Sequence, residues 1–188
     1  DARAVDEISG RLYIAMEYVA RDENGLNTLK EHVARGAPKP SQSLTWAVQF
    51  CHGMEHAYAR GIRCHRDIKT NNIMITQDGT LKITDLGLAG VLEESGIDAI
   101  ADEPQGSPLT SKSWRTPRGI GFGTPTHMPP EQFVDAARCD QRSDVYSFGV
   151  VLFQMASGGR PPFALAVSPD GTREDVKRYW ATLYDLHK

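Results

Sequence analysis

Apolar and polar positions follow two different periods along this chain, and the changes between them mark its elements. From Ala4 to Val19 the pattern is strand-like. The run Leu12-Tyr13-Ile14-Ala15-Met16 is rich in strand formers, and Ser9-Gly10 offers a turn, so two strands are predicted. A polar stretch, Arg21-Asp22-Glu23-Asn24-Gly25, leads into a short predicted helix over Leu26 to Ala34. Pro38 and Pro40 break the chain. From Ser43 or Leu44 to Arg60, Trp46, Phe50, Met54 and Ala57 recur at helical spacing and predict one buried face, with Gly61 at the C-terminal cap. The period then shortens. Asn72-Ile73-Met74-Ile75-Thr76 and Thr80-Leu81-Lys82-Ile83-Thr84-Asp85 flank Asp78-Gly79, the signature of a hairpin with a two-residue turn. Ser143 to Ser157 carries apolar residues on nearly all sides (Val145, Phe148, Val150, Val151, Leu152, Phe153, Met155), which predicts a buried helix. Thr172 to His187 reads as an amphipathic helix through Val176, Tyr179, Trp180, Leu183 and Leu186.

The central hairpin gathers polar chemistry. A type I′ turn would pair Gln77 with Thr80, and the same register places Asn72 opposite Asp85. Opposed residues hold their Cβ atoms about 4.5–5.5 Å apart on one face. An amide oxygen and a carboxylate so placed form a mouth for a hard divalent cation such as Mg²⁺. Asp67 and Lys69 lie just upstream, in the loop feeding the first strand. Each residue alone suits a solvated surface hairpin; their combined spacing favours a site.

Composition narrows the picture. With 188 residues, 40% hydrophobic and 24% charged, the chain is long enough for one core. A net charge of −3 argues against nonspecific nucleic-acid binding, which needs a basic face. Cys51, Cys64 and Cys139 show no metal-ligand spacing and read as small buried residues in a reducing compartment, so a cytoplasmic location is expected. No apolar run reaches the roughly 18–20 residues of a membrane span. His52 and His56 lie one helical turn apart, but no third ligand is near, and zinc is not assigned.

His65-Arg66-Asp67-Ile68-Lys69-Thr70-Asn71-Asn72 resembles the catalytic loop of protein kinases, and Asp85-Leu86-Gly87 resembles their metal-binding triplet with Leu in place of Phe. Matches continue in order. Gly123-Thr124-Pro125 through Pro129-Pro130-Glu131 resembles the segment that closes the activation loop. Asp144-Val145-Tyr146-Ser147-Phe148-Gly149 resembles the start of the long central helix, and Tyr13 to Val19 the fifth strand and hinge. Lys69 with Thr124 resembles the serine/threonine rather than the tyrosine form of the pattern, and Pro130-Glu131-Gln132 resembles bacterial members.

The resemblance implies an α+β, protein-kinase-like fold, with a mostly helical C-terminal lobe and a small hairpin carrying the site. Residues 1–19 would be a remnant of N-terminal-lobe strands and hinge, and residues 20–188 a partial C-terminal lobe with catalytic loop 65–72 and activation segment 85–131. It also implies roles. Asp67 would orient the substrate hydroxyl and accept its proton, Lys69 would neutralise the migrating phosphoryl, and Thr124 would complete hydroxyl recognition. Asn72 and Asp85 would hold Mg²⁺. The Glu17 carbonyl and Val19 N–H would meet the adenine of ATP, with Met16 as gatekeeper and Met74 beneath. His65 would be a buried support, and Asp144 would hold backbone N–H groups of the catalytic loop. The partners implied are ATP and a protein substrate.

Other expectations concern regulation and completeness. Arg66 beside Asp67 marks kinases activated by loop phosphorylation, yet the usual phosphosite shows Arg118, Gly119 and Ile120, leaving Thr116 and Ser113 as the nearest hydroxyls. The stretch Pro104 to Gly119 is expected to be the most mobile. No glycine-rich loop, third-strand lysine or first-helix glutamate is found, so little transfer by residues 1–188 alone is expected, with Glu131 lacking its arginine partner. The rival reading is a pseudokinase or scaffold lobe. Retention of Asp67, Lys69, Asn72 and Asp85 argues against it, since a scaffold needs none of them.

Overall fold

A computed structural model of the chain describes residues 2–8, 11–86, 125–134, 139–163 and 173–188. Strands β1 (Ala2–Ile8) and β2 (Arg11–Met16) pair antiparallel from Ile8↔Arg11 to Ala2↔Met16, with a bulge between Ala2 and Ala4. Ser9 and Gly10, where the turn between them is expected, lie outside the described residues. Helix α1 spans Leu29–Ala34 rather than starting at Leu26. The Asp22 carboxylate accepts from the N–H groups of Asn24 and Leu26, both at 2.8 Å, and so holds that stretch in a turn. Thr28 then caps α1 in a reciprocal box with Glu31.

Helix α2 spans Pro40–Ala59, starting earlier than expected because Pro40 occupies the first turn, where a missing N–H does no harm. It ends in a Schellman motif: Gly61 N–H donates to Tyr58 O at 3.1 Å, and Ile62 N–H to Ala57 O at 3.2 Å. Trp46, Phe50, Met54 and Ala57 are buried, as their spacing predicts. A 3-10 turn at Thr70–Asn72 feeds β3 (Ile73–Ile75), which pairs with β4 (Leu81–Ile83). Beyond it come a 3-10 turn at Pro125–His127, α3 (Pro130–Val134), α4 (Gln141–Ser157) and α5 (Arg173–His187).

The main core lies between α1, α2, the β3–β4 hairpin and α4. Phe50 of α2 stacks on Phe148 of α4 with centroids 3.8 Å apart. Ile73, Ile75 and Leu81 turn their side chains into the same cluster. Helix α2 also clamps the hairpin directly. Trp46 Nε1 donates to Gly79 O at 3.0 Å, and Gln49 Oε1 accepts from Leu81 N–H at 2.9 Å. Gly53 lets the hairpin approach closely, since a Cβ there would lie 3.0 Å from Ile83 Cδ1. A second cluster joins Met128, Phe133 and Leu183, bringing α5 against α3.

Three expectations are corrected. Helix α4 is not buried all round: Val145 is 70% exposed, and Phe153 and Leu152 also lie outward, so one apolar stripe faces away from the core. Cys51 is exposed, while Cys64 and Cys139 are buried. The hairpin register differs by one residue. Ile73 faces Ile83, Met74 faces Lys82 and Ile75 faces Leu81, so Asn72 lies across from Thr84, whose N–H donates to Asn72 O at 2.9 Å. The reason lies in the turn. Gly79 N–H donates to Thr76 O and Thr76 N–H to Thr80 O, both at 2.9 Å, enclosing the three residues Gln77, Asp78 and Gly79. Gly79 sits at φ 83, the left-handed position of a bulged three-residue loop. Asp78 secures it by accepting from the hydroxyls of Thr76 and Thr80.

Candidate active site

The site is built outward from Asp144, in the first turn of α4. It is 2% exposed and lies where a helix start favours a carboxylate. Asp144 Oδ2 accepts from His65 N–H at 2.8 Å and the Tyr58 hydroxyl at 2.9 Å; Oδ1 accepts from Arg66 N–H at 3.1 Å and the Cys64 thiol at 3.3 Å. Burial, and then the Asp144 carboxylate, push the Tyr58 phenol and the Cys64 thiol well above their usual ranges, so both stay protonated donors. Held this way, Arg66 adopts φ 66, a left-handed conformation that is costly for a residue with a Cβ. His65 is 2% exposed and its Nε2 donates to Thr84 O at 2.9 Å, fixing the loop against the end of β4.

The next residues point their chemistry together. Lys69 Nζ lies 2.7 and 2.9 Å from the two carboxylate oxygens of Asp67. Asn72 Nδ2 donates to Asp67 Oδ2 at 2.8 Å and to Asp67 O at 2.9 Å. Asp67, Lys69 and Asn72 thus form one cluster, with Asn72 buried and the Asp67–Lys69 pair partly open to solvent. With both amide hydrogens turned on Asp67, the Asn72 carbonyl oxygen is the atom left for a hard cation. Asp85 follows the Asn72–Thr84 pair by one residue and has φ 60, so the chain leaves the strand there in a left-handed turn. Asn72 and Asp85 are therefore not a cross-strand pair, and the cation mouth expected from that pairing is not formed by this register, although both side chains offer the oxygen donors that Mg²⁺ takes. Among the described residues no group of three or more His, Cys, Asp or Glu side chains is placed to hold a metal.

The other face of the hairpin meets the segment after β2. Met74 is half-buried and pairs with Lys82, whose Nζ reaches both Glu17 carboxylate oxygens at 2.7 and 2.8 Å. Val19 is buried, and its carbonyl accepts from Asn27 Nδ2 at 2.9 Å. Met16 is 55% exposed at the start of this strip. Lys82 thus ties Glu17 to the strand that carries Met74.

From the opposite side, α3 closes on the loop. Gln132 Nε2 donates to Arg66 O at 3.0 Å. Glu131, expected to lack a partner, accepts from Ser143 Oγ at 2.6 Å. His127 is buried. Its Nε2 donates to Gln154 Oε1 at 2.8 Å, while its Nδ1 accepts from the Thr126 hydroxyl at 3.0 Å. Burial is the main cause holding the pKa of His127 below its usual value, so the ring is neutral in this network.

Comparison with known proteins gives the family. The protein kinase domain profile matches residues 3–183. The chain belongs to the protein kinase family. It is 35% identical over 150 residues to a probable serine/threonine-protein kinase of Clostridium acetobutylicum, covering 79% of this chain and 19% of that protein. It is 34% identical over 151 residues to a probable serine/threonine-protein kinase of Corynebacterium efficiens, covering 80% and 20%. Against the serine/threonine-protein kinase PknL of Mycobacterium tuberculosis the identity is 28% over 198 residues, covering 97% and 44%. The chain therefore spans about a fifth of the first two relatives and less than half of the third.

Within this kinase domain, Asp67, Lys69 and Asn72 come together as expected, and His65, Arg66 and Asp144 form their support. Thr124 and Thr116 lie outside the described residues, as does the stretch Pro104 to Gly119. Tyr58, Cys64, His127, Gln132 and Gln154 were not foreseen. Tyr58 and Gln154 fall on predicted helices, with no local signal for their long-range partners. His127 and Gln132 sit inside a recognised motif, where two buried polar residues among prolines were the available hint.

Proposed function

We propose that the chain is the C-terminal lobe, with adjoining strand and hinge, of a serine/threonine protein kinase, which transfers the γ-phosphoryl of ATP to a protein hydroxyl. Residues 1–19 supply the strand and hinge and residues 20–188 the lobe. The observation that carries this reading is the Asp67–Lys69–Asn72 cluster, mounted on the strained Arg66 backbone by Asp144. A charge-complementary cluster on a held, left-handed loop is what phosphoryl transfer asks of a protein, because its loose transition state leaves mainly positioning and charge neutralisation to be done.

In this reading Asp67 accepts the hydroxyl proton of the substrate while Asn72 and Lys69 fix its carboxylate. Lys69, within reach of both Asp67 oxygens, gives its positive charge to the transferring group. Asn72 and Asp85 would hold Mg²⁺, whose charge would screen the phosphates. Glu17, Val19, Met16 and Met74 receive the purine, and Thr124 completes the hydroxyl side. The partner is a protein substrate rather than nucleic acid, in keeping with the net charge of −3. The location is cytoplasmic; among the described residues no helix is long and apolar enough to cross a membrane.

The test uses the full-length protein with Mg²⁺-ATP and a serine/threonine peptide. Asp67→Asn removes the base and keeps the shape, so transfer should fall by about two to four orders of magnitude with nucleotide affinity within a few-fold. Asp85→Asn should weaken Mg²⁺-nucleotide binding itself. Full turnover by Asp67→Asn would refute the assignment.

A further inference from the structure

We propose that Gln132 is a positioning residue for Asp67, acting through the carbonyl of Arg66; the proposal rests on the phosphotransfer reading above. Arg66 is held at φ 66, a conformation that residues with a Cβ rarely keep without support. Its two flanking peptides are pinned from different helices. The N–H donates to Asp144 Oδ1 at 3.1 Å on α4, and the carbonyl accepts from Gln132 Nε2 at 3.0 Å on α3. That carbonyl belongs to the peptide whose N–H is Asp67's own. The Gln132 bond therefore sets the plane from which the Asp67 side chain departs.

The chemistry of Gln132 supports a purpose beyond filling space. It is 6% exposed, where packing alone would favour an apolar side chain. A carbonyl can only accept, so the nitrogen of the amide must face Arg66. Its Oε1 is buried with no hydrogen-bond partner among the described residues. Gln132 also lines a cavity of about 10 Å³ beside Arg66, Asp67 and His127, room for about one water. An amide buried at this expense is accounted for by its one strong contact, the Arg66 carbonyl. Helix α3 is itself seated by Phe133, 1% exposed, and by the Glu131–Ser143 bond. Gln132 thereby couples the seating of α3 to the aim of Asp67.

Two variants of the full-length protein test this, with kcat, KM for ATP, thermal midpoint and hydrogen exchange at the Arg66 amide as readouts. Gln132→Leu keeps the volume and removes the donor. We expect kcat to fall about tenfold, KM for ATP to stay within twofold, and Arg66 amide exchange to quicken. Gln132→Glu lacks a donated proton as a carboxylate and regains one as the neutral acid, with Arg66, Asp67 and His127 as its charged or titratable neighbours. Its kcat relative to wild type should rise as pH falls from 8 to 6. Wild-type kcat and unchanged exchange in Gln132→Leu would overturn the proposal. So would a Gln132→Glu ratio flat with pH. If Gln132→Leu does not fold, the Gln132→Glu profile decides. If the wild-type protein transfers no phosphate, the kinase reading fails by itself, and Arg66 exchange alone then supports or overturns the positioning role.

Discussion

Asp144→Asn probes the support on which the whole site depends. The carboxylate accepts from Tyr58, Cys64, His65 and Arg66, two donors on each oxygen. Asparagine keeps one acceptor oxygen and puts an NH₂ where the other stood. In one orientation the amide faces His65 N–H, in the other Arg66 N–H, so one buried backbone donor meets another donor either way. An unsatisfied buried group costs about 1–3 kcal/mol, and the surviving bonds drop from charge-assisted to neutral, at about 1 kcal/mol each. Removing a buried charge returns part of that. The net loss should be about 3 kcal/mol, against a usual total of about 5–15 kcal/mol. For a domain of about 150–250 residues this lowers the thermal midpoint by roughly 6–12 °C. Calorimetry at neutral pH measures it, with Tyr58→Phe as a control that removes one donor and should cost about 1 kcal/mol. Phosphotransfer should fall further than stability, since the two backbone N–H groups set the loop before Asp67. A midpoint within about 2 °C of the parent would refute the reasoning.

Gly79→Ala should destabilise by about 1–2 kcal/mol through backbone strain alone, because φ is 83 and nothing lies within 4 Å of the added Cβ. Gly79→Asn should cost less, and denaturant titration of both variants checks the order. Burial is the main cause depressing the pKa of His187 from its ordinary 6.5 to about 4, while its Nδ1 accepts from the Tyr146 hydroxyl at 2.7 Å. The unfolded chain takes up that proton near pH 6.5 and the folded one does not, so stability should be full above that pH and fall as pH drops toward 4. His187→Gln should flatten the dependence of the thermal midpoint on pH between 7.5 and 5.

Local pattern carried much of this molecule. The buried face of α2 followed from Trp46, Phe50, Met54 and Ala57, because helical period and burial there have the same cause. Asp67, Lys69 and Asn72 sit within a few residues of one another, and a short loop must bring them close. The hairpin was legible but its register was not. Asp78-Gly79 serves two-residue and three-residue turns alike, and the choice was made by Thr76 and Thr80, whose hydroxyls bond Asp78. Helix α4 was misjudged for a different reason. Val145, Leu152 and Phe153 are as apolar as its buried residues, so composition cannot say which side meets α2. The contacts of Asp144, Gln132 and His127 join segments far apart in sequence, and only packing reveals them.

Asn27 has a mechanical consequence. Its side chain takes the Val19 carbonyl, its own carbonyl takes Ile75 N–H at 2.9 Å, and its N–H bonds Glu31 Oε2 at 3.0 Å. Hydrogen bonds from Asn27, Arg21 and Thr28 hold the pKa of Glu31 down to about 2, so this anchor stays ionised at any working pH. One residue thus acts as a gauge block. It sets the gap between the segment after β2 and the floor strand β3, and it refers both to the start of α1 rather than to each other. A shift in residues 17–19 would be felt at β3 and at the α1 cap together, so the width of this gap is a property of α1.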